Sequence, residues 1–72
     1  MFGIFLMFND GEEGYFVSVC NGRIQYDPDP RAPTCWSSSL YNASSVQRAR
    51  AKAEFLQENF RDIRYFEIVE FD

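Results

Sequence analysis

Histidine is absent from this chain of 72 residues, and several kinds of catalytic and metal site are thereby excluded. No Ser–His or Cys–His nucleophile pair can form, and no histidine general base is available. The two cysteines, Cys20 and Cys35, cannot complete a tetrahedral zinc site without further nitrogen or sulfur ligands. The four glycines form no phosphate-binding motif. We therefore expect a protein that is not an enzyme and that holds no metal or cofactor.

Long apolar runs and a secretion signal are lacking as well. No stretch approaches the roughly 18 apolar residues of a membrane span, and the apolar start Met1–Phe8 has no basic segment before it. Small secreted domains usually carry more cysteines than the two present. We therefore expect a cytoplasmic protein with reduced thiols, and the residues leave open whether Cys20 and Cys35 ever bond.

Positive charge is scarce, since 7 Lys and Arg stand against 11 Asp and Glu, for a formal net charge of −4. Phosphate backbones and anionic lipid surfaces repel an acidic protein, so neither direct nucleic-acid binding nor membrane binding is expected. The acids gather in predicted turns, which has two interpretations. They keep loops solvated, or they contact a protein partner that has a basic groove, such as a nucleic-acid-binding complex.

Aromatic side chains are abundant, making up 18% of the chain. They bury a large area each, which helps so short a chain to form a core. The length fits one domain, residues 1–72. The apolar patterns predict strands at 2–8, 15–20, 23–26 and 63–71 and a helix from Ser44 or Ser45 to Asn59. We expect an α+β fold of order β-β-β-α-β, with an antiparallel sheet of about four strands and one helix on one face.

The dipeptide Asn21-Gly22 predicts a tight hairpin turn, because both of its central residues accept positive φ. Such a turn sets the predicted cross-strand pairs: Cys20 with Arg23, Val19 with Ile24, Ser18 with Gln25 and Val17 with Tyr26. Phe16 then falls on the polar face of the hairpin. In the last strand neither face is purely apolar, so either a bulge shifts the register or both faces are partly covered.

Three prolines lie between residues 27 and 43, and they predict one long loop there, anchored by Trp36 and Leu40. The sheet face away from the helix is expected to carry apolar side chains, namely Phe5, Met7, Phe16 and Phe66. Either the loop covers this face, or the face is an interface with a second copy or another protein.

Candidate partner-binding residues come from the acidic loops and from the aromatic residues beside the proline loop. Asp27 and Asp29 are read as solvated loop acids, because nothing nearby in the sequence would raise a pKa for catalysis. Aromatic side chains with polar tips are common at interfaces, although Trp36 also suits a core anchor. The candidates are Asp10, Glu12, Glu13, Tyr26, Asp27, Asp29, Trp36 and Tyr41.

As an architecture, the whole chain resembles very short, acidic α+β proteins of bacteriophages and mobile elements, among them anti-CRISPR proteins and other inhibitors of host defence. The resembling features are the start Met1–Phe8, the hairpin 14–22, the helix segment 48–54 and the closing strand 66–70. The resemblance implies a stoichiometric protein-binding inhibitor acting in the host cytoplasm, and it assigns no functional residue. The alternative is a homodimeric or assembly subunit with a structural role.

Overall fold

A four-stranded antiparallel sheet and one helix make up the fold in the computed structural model, which describes residues 1–28 and 40–71. The strands are β1 (Phe2–Phe8), β2 (Glu13–Cys20), β3 (Arg23–Asp27) and β4 (Ile63–Glu70), and the helix α1 spans Val46–Asn59. The spatial order of the strands is β3-β2-β1-β4. The expected α+β architecture and the element order β-β-β-α-β are confirmed.

Strand β1 lies inside the sheet, between β2 and β4, and supplies the centre of the core. Its residues Ile4, Leu6 and Phe8 point to the face that α1 covers and are buried there. The helix contributes Ala49, Ala53 and Leu56 to the same core, and the two small alanines let it lie close to the sheet. The apolar character of β1 on both faces therefore reflects a strand with cover on both sides.

Helix α1 begins where its sequence predicts. Ser45 is the N-cap, and its hydroxyl oxygen accepts a hydrogen bond of 3.2 Å from the backbone N–H of Arg48. Val46, the first residue of the helix, is 41% exposed. At the other end the side-chain amide of Asn59 donates to the Phe55 carbonyl, and the extended Phe60 ends the helix.

The β2–β3 hairpin has the predicted turn and a register that is only partly as predicted. Asn21 and Gly22 both have positive φ, 54° and 76°, and the three pairs nearest the turn are as expected. The Val17–Tyr26 pair is wrong, because a β-bulge at Val17 makes Phe16 the partner of Tyr26. The bulge turns Phe16 into the helix-side core, where it is 2% exposed.

Strand β4 has both features that its sequence pattern allowed as alternatives, a register shift and partial cover on both faces. A register shift at Arg64 places Tyr65 opposite Met7 and Ile63 opposite Phe8. Both faces are also partly covered, since Phe66 packs against the helix-side core and Val69 against a second cluster on the other face.

We name the sheet face away from α1 the open face. A second cluster of Tyr15, Leu40 and Phe71 lies on it, with Phe5, Val17 and Val69 packed alongside. The prediction that Phe16 and Phe66 lie on this face is wrong, because both pack in the helix-side core. Leu40, predicted to anchor the loop together with Trp36, is 3% exposed in this cluster, and Trp36 lies outside the described residues.

Residues 41–43 fill a gap between β1 and β2. The pairs between these strands stop at Phe5 and Tyr15, short of the beginning of β1. There Ala43 exchanges two backbone hydrogen bonds with Phe2, of 2.8 and 2.9 Å. The N–H of Tyr41 donates to the carbonyl of Phe16 at 2.9 Å. The end of the segment predicted as a loop is therefore hydrogen-bonded into the sheet.

Leu56→Ala should lower the free energy of unfolding by about 3 kcal/mol, because Leu56 is fully buried and a cavity would remain. The matched control is the neighbouring Phe55→Ala. Phe55 is 53% exposed, and the Lys52 ammonium lies 5.4 Å from the centre of its ring. That change should cost less than about 1 kcal/mol. Urea unfolding followed by circular dichroism measures both, and equal costs would contradict the described core.

Candidate protein-interaction site

Three chain segments meet at one end of the sheet, which we name the acidic end. They are the β1–β2 turn with the first residue of β2 (residues 9–13), the end of β3 (residues 26–27) and the α1–β4 turn (residues 60–62). The backbone N–H of Asn9 donates to the carbonyl of Asp62 at 2.8 Å, and its side-chain amide donates to the carbonyl of Arg61 at 3.1 Å. One residue of the first turn thus fixes the position of the other turn.

The β1–β2 turn holds its acids in a defined geometry. The N–H of Phe8 donates to the Glu12 carbonyl at 2.8 Å, which closes the turn. The carboxylate of Asp10 accepts a hydrogen bond of 2.9 Å from the N–H of Glu12, a side-chain-to-backbone contact typical of turns. Asp10, Glu12 and Glu13 are all exposed. The carboxylates of this loop are therefore presented to solvent from an ordered backbone.

Glycine at position 14 lets β3 come close to the acidic end. A Cβ atom built there would lie 2.6 Å from the carbonyl oxygen of Asp27 and 2.5 Å from the ring of Tyr26. Any larger residue would push β3 away from β2 at this point. Gly14 thus places Tyr26 and Asp27 beside the acids of the β1–β2 turn.

A cavity of about 320 Å³ opens between these segments. Carboxylates and aromatic rings line it together, in the set Phe8, Asn9, Asp10, Tyr26 and Asp62. The rings of Phe8 and Tyr26 pack with their centres 4.8 Å apart. Aromatic faces and carboxylates both attract cations, so the cavity has the chemistry to accept a lysine or arginine side chain.

The surroundings of Tyr26 shift the pKa of its phenol. Burial raises its pKa above the ordinary value of 10.0, and the negative charges of Glu12 and Asp10 raise it further. The pKa of Tyr15 is also raised, by burial and then by Glu67. The carboxylates of Glu12 and Asp10 therefore act on the phenol of Tyr26.

The sequence candidates separate into three groups. Asp10, Glu12, Glu13, Tyr26 and Asp27 come together at the acidic end, the first three exposed and the other two half-buried. Tyr41 lies apart from them, with its ring 5.4 Å from that of the buried Phe16. Asp29 and Trp36 are outside the described residues.

Two residues of the site escaped the sequence analysis. Asp62 lines the cavity from the α1–β4 turn, and only the folded chain brings it beside Asp10. Phe8 was assigned to a strand, and nothing in its sequence context signals that its ring also borders a cavity. Arg61 is exposed in the α1–β4 turn, and Arg23 lines a neighbouring cavity together with Asp62. Both add positive charge near these acids.

No protein-family model, no curated protein and no solved structure matches this chain. Within residues 1–28 and 40–71, no helix is long and apolar enough to cross a membrane. The same residues contain no group of three or more histidine, cysteine or acidic side chains placed to hold a metal ion. Cys20 is a free, exposed thiol, and Cys35 lies outside the described residues.

Replacing Asp10 and Glu12 with Asn and Gln should lower the pKa of Tyr26 toward 10.0 without reaching it, because burial remains as the larger cause. Ultraviolet titration of the phenol, with Tyr26→Phe to identify its signal, measures the change. Glu58→Gln, on the exposed surface of α1, serves as the control and should leave the titration unchanged. An unaltered Tyr26 pKa in the double variant would contradict the described geometry.

The raised pKa of Tyr26 makes the free energy of unfolding depend on pH in the alkaline range. Because its pKa is raised on folding, the folded chain keeps a proton that the unfolded chain releases near pH 10.0. The free energy of unfolding should therefore fall as the pH rises through this value. In Tyr26→Phe the fall should be smaller, and urea unfolding at pH 8 and at about pH 10.5 compares the two proteins.

Proposed function

We propose that this protein is a non-enzymatic, protein-binding inhibitor whose acidic end occupies a basic groove on a nucleic-acid-processing complex. The observation that carries the proposal is the convergence of acids from separate segments on one aromatic-lined cavity. Asp10 and Asp62 line that cavity together, although they are far apart in the sequence. A purely solubilising role for acidic loops gives no reason for such convergence.

The chemistry of the acidic end favours a cationic partner surface. Five carboxylates lie in the three segments that form it, from Asp10, Glu12, Glu13, Asp27 and Asp62. Among the described residues, Arg61 lies in the same turn as Asp62, and Arg23 lines a neighbouring cavity with Asp62. A lysine or arginine entering the cavity would contact carboxylates and the Phe8–Tyr26 ring pair at once.

Nucleic-acid-binding proteins are the partner class that fits best. Their grooves are lined with lysine and arginine to hold phosphates, and carboxylates of a rigid turn can replace those phosphates. Direct binding to nucleic acid is disfavoured by the net charge of −4. The short, acidic α+β chain also resembles inhibitors of host defence encoded by phages and mobile elements, which supports the same partner class.

The proposal predicts that charge at the acidic end controls partner binding. Asp10→Asn with Glu12→Gln should weaken binding to the captured partner by about tenfold or more, because Asp10 lines the cavity and the charge of Glu12 acts on Tyr26 beside it. The partner is first captured from bacterial lysate on the immobilised protein, and its affinity is then measured by calorimetry. A DNA duplex or an RNA should compete for the same groove.

The matched control is Glu54→Gln with Glu58→Gln, which removes the same charge from the exposed surface of α1. It should leave the affinity within about twofold of the original. Equal weakening by both double variants would show that only net charge matters. No weakening by the first would rule out the acidic end as the contact surface.

A further inference from the structure

The turn between β2 and β3 places an asparagine directly before a glycine, Asn21-Gly22. An asparagine side chain in this position can react with its own backbone, because glycine has no Cβ atom to shield its nitrogen. We propose that Asn21 is a site of spontaneous deamidation in the folded protein, where its amide is converted to a carboxylate. This inference concerns a different part of the molecule from the acidic end and does not depend on the proposed function.

The reaction needs only the chain and water. The backbone nitrogen of Gly22 gives its proton to solvent and attacks Cγ of Asn21, which forms an N–Cγ bond and closes a cyclic imide. The Cγ–Nδ2 bond breaks, and the amide nitrogen leaves as ammonia after taking a proton from water. Water then opens the imide at Cγ to give aspartate, or at the backbone carbonyl of Asn21 to give isoaspartate. In sum, one amide and one water become one carboxylate and one ammonium ion.

The side-chain amide of Asn21 is available for this reaction, in contrast to those of the other three asparagines. Those three donate to backbone carbonyls at 2.8 to 3.4 Å, namely Asn9, Asn42 and Asn59. The Asn21 amide makes no hydrogen bond within residues 1–28 and 40–71, and the residue is exposed. Turning the amide toward the next backbone nitrogen therefore breaks a hydrogen bond at the three other sites and none at Asn21.

The attacking nitrogen is unprotected as well. The strand pairing ends at Cys20 and Arg23, and among the turn hydrogen bonds of the described residues none uses the N–H of Gly22. A Cβ atom built on Gly22 would have nothing within 4 Å, so the space around this nitrogen is open. By contrast, the N–H groups that follow Asn42 and Asn59 donate to backbone carbonyls at 2.8 Å.

The tip of the hairpin can rearrange without disturbing the core. Attack requires rotation about the Cα–C bond of Asn21, which holds a positive φ of 54° in the closed turn. Residues 18–23 are all exposed, so local opening of this segment uncovers no buried side chain. Segments with few buried contacts are those that open most readily in a native protein.

The two products should affect the hairpin differently. Aspartate keeps the length of the backbone and tolerates positive φ as asparagine does, so the turn should persist while the net charge of −4 becomes more negative by one. Isoaspartate carries the chain through the side chain and adds a backbone atom, so a two-residue turn can no longer align Cys20 with Arg23. Strand β3 then loses its register at Ile24, which packs against the helix-side core.

Incubation of the folded, full-length chain at mildly alkaline pH tests the proposal, with fragment-ion mass spectrometry to locate each converted residue. We expect the mass gain of an amide replaced by a carboxylic acid at Asn21 before any other asparagine, with release of ammonia. A synthetic peptide of residues 18–25 serves as the reference for the same sequence without the fold. Asn21→Asp should show no gain at this position and should keep the circular dichroism of the original protein.

Asn42 is the matched control within the same molecule, because both its amide and the N–H that follows it are hydrogen-bonded. Conversion of the reference peptide while Asn21 of the folded chain stays intact would overturn the proposal, and so would earlier conversion of Asn42. The products are then separated, and their cross-strand amide contacts are compared by nuclear magnetic resonance. An isoaspartate form that kept the Cys20–Arg23 and Val19–Ile24 pairs would overturn the stated consequence for the hairpin.

Discussion

Strand β1 carries apolar side chains on both faces, and a chain of 72 residues must keep both from water. One face is met by α1, which brings Ala49, Ala53 and Leu56 over Ile4 and Leu6. The other is met at Phe5 by Tyr15, whose ring centre lies 5.1 Å away, and by the cluster that Tyr15 forms with Leu40 and Phe71. The position of β1 inside the sheet follows from this double burial, and the remaining strands pair around it.

The strands, the helix and the tight turn could be predicted from the sequence, because the residues that specify each of them are adjacent in the chain. The Asn21-Gly22 turn and the Ser45 cap each depend on a few adjacent residues, and both form as predicted. The pairing of Val17 with Tyr26 failed for a different reason. Strict alternation would leave Phe16 on the polar face, and burying that ring in the helix-side core outweighs the regularity of one strand pair. No periodicity in the hairpin sequence contains that information.

In the candidate site, too, the residues that are close in sequence could be predicted and those brought together by the fold could not. Acidic turns are visible in a sequence, so Asp10, Glu12 and Glu13 could be named before their positions were known. Asp62 could not, because it comes beside Asp10 only in the folded chain, where Asn9 donates two hydrogen bonds to the α1–β4 turn. Residues that contact across a long sequence separation are invisible to spacing rules, and this cavity is formed by such contacts.

Residues 41–43 also constrain the order in which the chain can fold. The β2–β3 hairpin depends on near neighbours, but the gap between β1 and β2 closes only when Ala43 reaches Phe2 and Tyr41 reaches Phe16. Loops of 24 residues or more must close to form either contact, and such closures slow folding. Until then β1 and β2 each expose a length of unpaired backbone, which is the form of the chain most open to aggregation. Tyr41 and Ala43 therefore cover backbone that β1 and β2 would otherwise leave unpaired.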